Sequence, residues 1–541
     1  MNKLDQHITA YLFSLEELVE DVRKEIGFPT NFWAVAATIE SFGIRDEDAL
    51  EEYGFKDVFT LAQYVFKQLR KYYEKRVGHV ETREIEKDVL SFKKKLEDVF
   101  KHYFTGLLFA LPMLIQIASV LLFDYGLWAW VRFNTLQATM VAIATIVSFI
   151  ITGGYVQVLG FQLTYYKAME NYQSAYDMAW YLLKRGFKVS VVVGLGMFAV
   201  NFFLGLFPVM AVFVATIYLI LLSALLLASG ILYALEFKLP IVVGILFGTL
   251  MVIVSMEVFH LGIYLSHWIG IFFAVLINLI SGYVYFQVKL DKMPAEFRLS
   301  RLPKQEVILY MSYRYFVYGT VFFLFLFIDR IMAWSSGFPG TPYIIWFNTP
   351  YELGMDWALI PLLTTMALLD YSVHRFSNEI IPKQKEVIFE NYQEFNRYFK
   401  RFYHRQILYV VGIGLLSIIG AYYFVKMFEP IALKYPNVAI FYSNPITEKT
   451  FWLGSIGYII LCVGLLNSLF FFTLFRPAFA MNAMVLGITA NIYVGFILSR
   501  SVSYEYAVVG LIAGATVFAL VSAIWANRVF KKLDYYYFAA F

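Results

Sequence analysis

From about residue 103 onward, the chain is a succession of apolar runs, each long enough to cross a ~30 Å hydrocarbon layer as a helix, separated by short polar connections. Twelve such runs, centred near 113, 146, 198, 221, 248, 275, 322, 361, 416, 463, 488 and 515, predict twelve transmembrane helices. The first hundred or so residues carry a different pattern. Ile8, Tyr11, Leu12, Leu15, Val19 and Val22 recur at three- and four-residue steps, as do Val58, Leu61, Val65, Leu69 and Tyr72. That spacing gives each helix one apolar stripe, so a small water-facing bundle is expected, broken at Gly27-Phe28-Pro29-Thr30. The charged, helix-prone stretch from Thr82 to Phe100 has no Pro or Gly and predicts a continuous helix into the first apolar run.

The connections alternate in charge. Lys184-Arg185 with Lys188, Lys238, the stretch from Lys289 to Lys304, the stretch from Arg375 to Arg405, Arg476, and Arg528 with Lys531-Lys532 fall on one side, whereas Gly262 to Ser266 and Ser335 to Pro350 carry no Lys or Arg. The positive-inside rule makes the first side cytoplasmic and puts both termini there. Asn171-Tyr172-Gln173 followed by Val192-Val193-Gly194-Leu195-Gly196 is echoed by Asn391-Tyr392-Gln393 and Val410-Val411-Gly412-Ile413-Gly414. Each pair spans the connection between the second and third helices of its half. Six being even, the halves share an orientation and form parallel repeats with a cavity expected between them. The expected organisation is a cytoplasmic helical domain over 1–88, a six-helix lobe over 89–290, a linker over 291–306 and a second six-helix lobe over 307–541. In the two repeated connections, amphipathic segments carrying Tyr172, Tyr176, Trp180 and Leu183, and Phe389, Tyr392, Phe395, Phe399 and Phe402, are expected along the inner interface; the alternative is that they prolong the flanking helices.

Composition narrows the function. Of 541 residues, 60% are hydrophobic and 16% charged, with mean hydropathy +0.63, and roughly two fifths of the charges lie in the first hundred residues. The net charge of +4 is too small and dispersed to imply a nucleic-acid partner. The single cysteine, Cys462, lies in an apolar run and excludes an intramolecular disulfide or a cysteine metal site. The acidic, non-apolar start is not a cleavable secretory signal. No Walker lysine, His-Glu-x-x-His or Gly-x-Ser-x-Gly motif appears, so no ATPase, protease or lipase chemistry is indicated, and neither enzyme activity nor a cofactor is expected.

Charged side chains inside apolar runs are the candidate functional groups, because each costs a few kcal/mol at membrane depth unless a cavity or a partner receives it. Asp329 and Arg330 stand side by side toward the outer end of helix seven, followed by Trp334, an expected interfacial anchor. Adjacent helical residues point about 100° apart, which argues against both facing one neighbour. They either line a polar path or form a snorkelling pair. Glu257 with His260 and His267 forms a second candidate, a proton-sensitive group or plain interface residues. Asp356 opens helix eight and Asp370 closes it, the latter as a helix-end residue, while Arg476 reads as an inner anchor.

Around helices seven and eight, Ile328-Asp329-Arg330-Ile331-Met332-Ala333-Trp334 and Met355-Asp356-Trp357-Ala358-Leu359-Ile360-Pro361 resemble the PelG family, the inner-membrane exporters of the Pel exopolysaccharide system in the multidrug/oligosaccharidyl-lipid/polysaccharide flippase superfamily. Thr152-Gly153-Gly154, read as ending helix two, and the closing Leu533-Asp534-Tyr535-Tyr536-Tyr537-Phe538 extend the likeness over most of residues 90–541. Residues 1–88 are extra to that pattern, and Gly160 to Tyr165 lacks the Arg and Asp that the family carries there. The resemblance implies an all-α two-lobed fold in a bacterial inner membrane, export of a polysaccharide or glycan, and a cytoplasmic glycosyltransferase with other membrane subunits as partners. It makes Asp329, Arg330 and Trp334 the first substrate-path candidates and Glu257 and Asp356 the second. A flippase for lipid-linked oligosaccharide or a multidrug antiporter of the same fold is the alternative. A glycan polymerase is disfavoured because the longest outer loop, 427–451, has neither His nor Arg, and a scaffold that only recruits partners is a third class.

Overall fold

The structure is a computed structural model that describes residues 3–27, 29, 32–77, 115–116, 118–120, 123–293, 302–337, 341–386, 392–427, 429 and 444–538. Helices α1 (Lys3–Ile26), α2 (Phe32–Ser41), α3 (Asp46–Glu51) and α4 (Val58–Val77) form the N-terminal unit. Its core joins Leu18 and Val22 of α1 to Val35, Ala36 and Ile39 of α2 and Val58, Leu61, Val65 and Leu69 of α4; the spacing picks out Val22 and the four α4 residues, while Leu18 and the α2 residues join them only in the fold. Gly27, at φ 68°, ends α1 in a left-handed turn that side chains with a Cβ rarely adopt. Asp57 starts α4 by accepting the Thr60 amide at 2.7 Å, and these backbone hydrogen bonds hold its carboxyl below the usual value.

Among the described residues, eleven further helices are long and apolar enough to span a membrane, and the chain is a multi-pass membrane protein. They are α5 (Thr135–Ala168), α6 (Tyr172–Leu204), α7 (Val209–Ala234), α8 (Leu239–Glu257), α9 (Ile263–Asp291), α10 (Gln305–Trp334), α11 (Thr349–Glu386), α12 (Tyr392–Met427), α13 (Pro445–Thr473), α14 (Pro477–Ser501) and α15 (Ala507–Lys531), with the short α16 (Leu533–Phe538) closing the chain. The expected span near 113 and the helix from Thr82 to Phe100 fall largely or wholly outside the described residues. Local chemistry sets the helix starts. Asn134 and Gln137 close a reciprocal capping box at α5, Asn171 accepts the Ser174 amide at α6, and prolines open α13 and α14.

Two expectations are corrected. The segments from Tyr172 and from Tyr392 do not lie along the interface as separate helices; each is the first part of one unbroken helix, α6 of 33 and α12 of 36 residues. No Pro lies in either junction, Gly186 stays helical inside α6 where it packs against Leu227, and the aromatic stripe of α12 packs onto Phe376, Phe470 and Phe530 instead of facing lipid. Thr152-Gly153-Gly154 does not end a helix. It sits in the middle of α5, where α5 crosses α10.

That crossing is where the two halves meet. A Cβ on Gly153 would lie 2.3 Å from Phe323 and 2.7 Å from the Gly319 carbonyl, so only glycine permits the approach. Along the same seam Phe149 packs on Phe323, Phe161 stacks on Tyr315 at 4.2 Å, and Gln162 donates to Ser312 at 2.9 Å. At the Lys/Arg-poor end the loop 341–348 crosses from the second half to the first. Its Phe347 amide donates to Thr139 and its Tyr343 ring rests on Phe207. At the Lys/Arg-rich end Lys238, which precedes α8, pairs with Asp370 of α11 at 3.4 Å. The seam is therefore packed where α5 meets α10 and tied by polar contacts at both ends.

Candidate functional site: a buried charge cluster between α10 and α11

Asp329 and Arg330 lie in the last turns of α10, and α11 supplies the groups that meet them. Arg330 Nη1 donates to Glu352 and, at 3.0 Å, to Asp356 Oδ1. Glu352 and Asp356 are four residues apart, so they sit one turn above each other on the same face of α11. Asp329 accepts from the Tyr351 hydroxyl at 2.8 Å. Both adjacent residues thus reach α11, against the expectation that they could not share a neighbour. Two consecutive residues of α11 meet them, Tyr351 at Asp329 and Glu352 at Arg330. Tyr458 of α13 closes the cluster next to Arg330 and Asp329.

Three of the four charged members of the cluster are buried. Asp329 is 0%, Arg330 4% and Glu352 7% exposed, whereas the Asp356 side chain is half exposed. Burying an ion costs several kcal/mol, which paired geometry and hydrogen bonds must offset. Here the offset is incomplete, because Asp329 Oδ1, Arg330 Nε and Nη2 and Glu352 Oε2 are buried and without a hydrogen-bond partner. One guanidinium faces three carboxylates, and four polar atoms remain free to receive something further. Among the described residues no group of three or more His, Cys, Asp or Glu is arranged to hold a metal ion.

Trp334 is not an interfacial anchor. It is 1% exposed, packed 5.3 Å from Phe347, and its carbonyl accepts the Trp346 amide, because the loop 341–348 folds back over the end of α10. Arg500 of α14 secures the same end by donating to the carbonyls of Met332 and Ser335 at 3.0 and 3.2 Å. Composition and spacing left Tyr351, Glu352, Tyr458 and Arg500 unread. The one signal available was the four-residue step from Glu352 to Asp356, which puts two carboxylates on one face of a helix end.

Glu257, His260 and His267 do not form a cluster. Glu257 accepts from Tyr125 at 2.7 Å at the exposed end of α8, and burial together with that carboxylate raises the Tyr125 hydroxyl above its ordinary value. His260 is exposed, and His267 is buried with Nδ1 2.6 Å from Tyr218. Asp370 is not a helix-end residue: α11 runs on past it to Glu386, and its partner Lys238 comes from the other half.

This arrangement defines the class of protein: an all-α, multi-pass membrane protein of two lobes with a charged cluster buried in the second. Solved structures of that shape exist. Matching chains include a MATE point mutant (TM-score 0.54, 13% identity), an outward-facing multidrug resistance MATE family transporter of the MOP superfamily (0.52, 12%) and MATE in the straight conformation (0.52, 12%). Each alignment covers 81% of this chain and 96% of the other. The chain therefore has the MATE fold, shown by shape at low identity. No family model matches its sequence, and neither does any curated protein.

Proposed function

We propose that this protein is a secondary transporter that moves a glycan across a bacterial inner membrane, with a cytoplasmic glycosyltransferase and other membrane subunits as partners. The observation that carries the transport reading is the cluster of Asp329, Arg330, Glu352 and Asp356, three carboxylates and one guanidinium kept at membrane depth with four polar atoms unpartnered. A purely structural pair would be better satisfied. The excess of carboxylates suits a site that takes up a proton and exchanges it for the Arg330 contacts as the lobes move about the α5–α10 seam. Asp356, half exposed, is the group through which that ion would enter. The glycan, and export of a Pel-type polysaccharide in particular, rests on the resemblance around Ile328 to Trp334.

The test is deletion of the gene followed by assay of extracellular polysaccharide, with complementation by the native chain and by Asp329→Asn and Asp356→Asn. Loss of polysaccharide on deletion, and failure of both variants to restore it at native membrane abundance, is the expected result. A deletion strain with unchanged polysaccharide but heightened sensitivity to cationic drugs would replace the glycan by the multidrug reading. Unchanged behaviour in both assays would overturn the transport proposal.

A further inference from the structure

The part of α12 that projects beyond the bilayer carries an arginine stripe that the transport reading does not use. At 36 residues α12 is about 54 Å long, against a hydrocarbon layer of about 30 Å. Arg397, Arg401 and Arg405 are exposed and recur at four-residue steps, so they form one stripe. On that same outward side the residues turn apolar one turn later, at Leu408, which is 70% exposed and is followed by Leu415 and Leu416. The change from arginine to leucine marks the plane at which the helix enters lipid.

The opposite face of this segment is fixed. Phe395, Phe399, Phe402 and Tyr403 are buried, with Tyr403 stacked on Phe530 at 4.8 Å. Among the described residues, two carboxylates near this segment are already engaged. Glu379 is held by Arg375 at 2.6 Å and by Tyr398 at 2.7 Å, and Asp534 by Asn396 at 2.8 Å. Glu394, exposed one turn before Arg397, makes no ion pair with it. Among the described residues none of the three arginines is matched by a carboxylate. Arg405 lies over the Phe402 ring at 5.9 Å, which orients its guanidinium without consuming its charge.

We propose that the Arg397, Arg401 and Arg405 face of α12 binds the anionic phosphodiester headgroups of phospholipids in the leaflet at the Lys/Arg-rich end. A guanidinium presents parallel N–H donors to two phosphate oxygens, which lysine does not. Three of them on a rigid helix, directly below lipid-facing leucines, meet the headgroup layer without any rearrangement. The inference is independent of what the lobes carry.

The test uses the full chain, with lipid retention read by native mass spectrometry and thermal midpoints measured in nanodiscs of phosphatidylcholine with and without phosphatidylglycerol. The native chain should retain phosphatidylglycerol preferentially and melt higher in its presence. In the triple variant R397Q/R401Q/R405Q that retention should fall about tenfold or more, on the scale of the surface attraction of basic residues. The matching Arg→Lys triple should keep part of it, and R528Q/K531Q/K532Q, which removes the same charge elsewhere at this end, should keep nearly all. Equal retention of the two lipids by the native chain, as expected if the face serves an acidic protein instead, would overturn the proposal. So would unchanged retention in the glutamine triple, or an equal loss in the control triple.

Discussion

The guanidinium of Arg330 is joined to the carboxylate of Glu352 in a pair that neither helix leaves open to solvent. Removing one member of such a pair leaves the other charged, buried and unmatched. Arg330→Gln or Glu352→Gln should therefore each lower stability by about 3–5 kcal/mol. The double replacement by methionine should cost much less than the sum. Asp356→Asn, at a half-exposed position, should cost under about 1 kcal/mol. Thermal unfolding in detergent, arranged as a double-mutant cycle, checks all three, and additive losses would show that the pair is not coupled.

Tyr351 is the only hydrogen-bond donor that α11 offers Asp329 among the described residues. Tyr351→Phe keeps the ring and removes the hydroxyl, so a buried carboxylate loses a partner at a cost of about 1–3 kcal/mol. The same unfolding assay should show the loss disappearing in Asp329→Asn/Tyr351→Phe relative to Asp329→Asn.

Glycine positions separate contact from lipid-facing surface. A Cβ at Gly354 would lie 1.8 Å from Thr450 Oγ1 and 2.5 Å from the Thr447 carbonyl, whereas at Gly412 nothing lies within 4 Å. Gly354→Ala should force α11 off α13 and cost about 1–3 kcal/mol or more, while Gly412→Ala should be neutral or slightly stabilising. Membrane abundance and melting temperature report the difference.

The Lys238 and Asp370 pair ties the halves at the Lys/Arg-rich end, and with Asp370 half exposed its net worth is under about 1 kcal/mol. Asp370→Asn should leave the melting temperature nearly unchanged and widen the distance distribution between the halves at that end. Spin labels placed on introduced cysteines read this directly, since Cys462 is buried and the only native cysteine. An unchanged distribution would remove the latch role from this pair.

Much of the fold was legible because a bilayer imposes a simple rule. Backbone groups must be satisfied within a span, so a helix of some twenty apolar residues announces itself in one dimension. The stripe of Val58, Leu61, Val65 and Leu69 was equally readable. Asp329, Arg330 and Asp356 stood out by cost alone, being charges in apolar runs.

What surrounds those charges was decided by the tertiary structure. Glu352 and Tyr351 carried no signal of their own; the loop 341–348, folded over the end of α10, brings the start of α11 against it and also buries Trp334. Lys238 and Asp370 are 132 residues apart in sequence, and only the meeting of the halves pairs them. Glu257 and His267, near neighbours in the sequence, went to Tyr125 and Tyr218 because their helices turn them to different partners. The sequence by itself determined which segments enter the membrane and which residues are expensive there, since transfer free energy depends on residue type and local periodicity. The pairing of those residues depends on how helices cross, a property of side-chain fit across distant segments that no local pattern encodes.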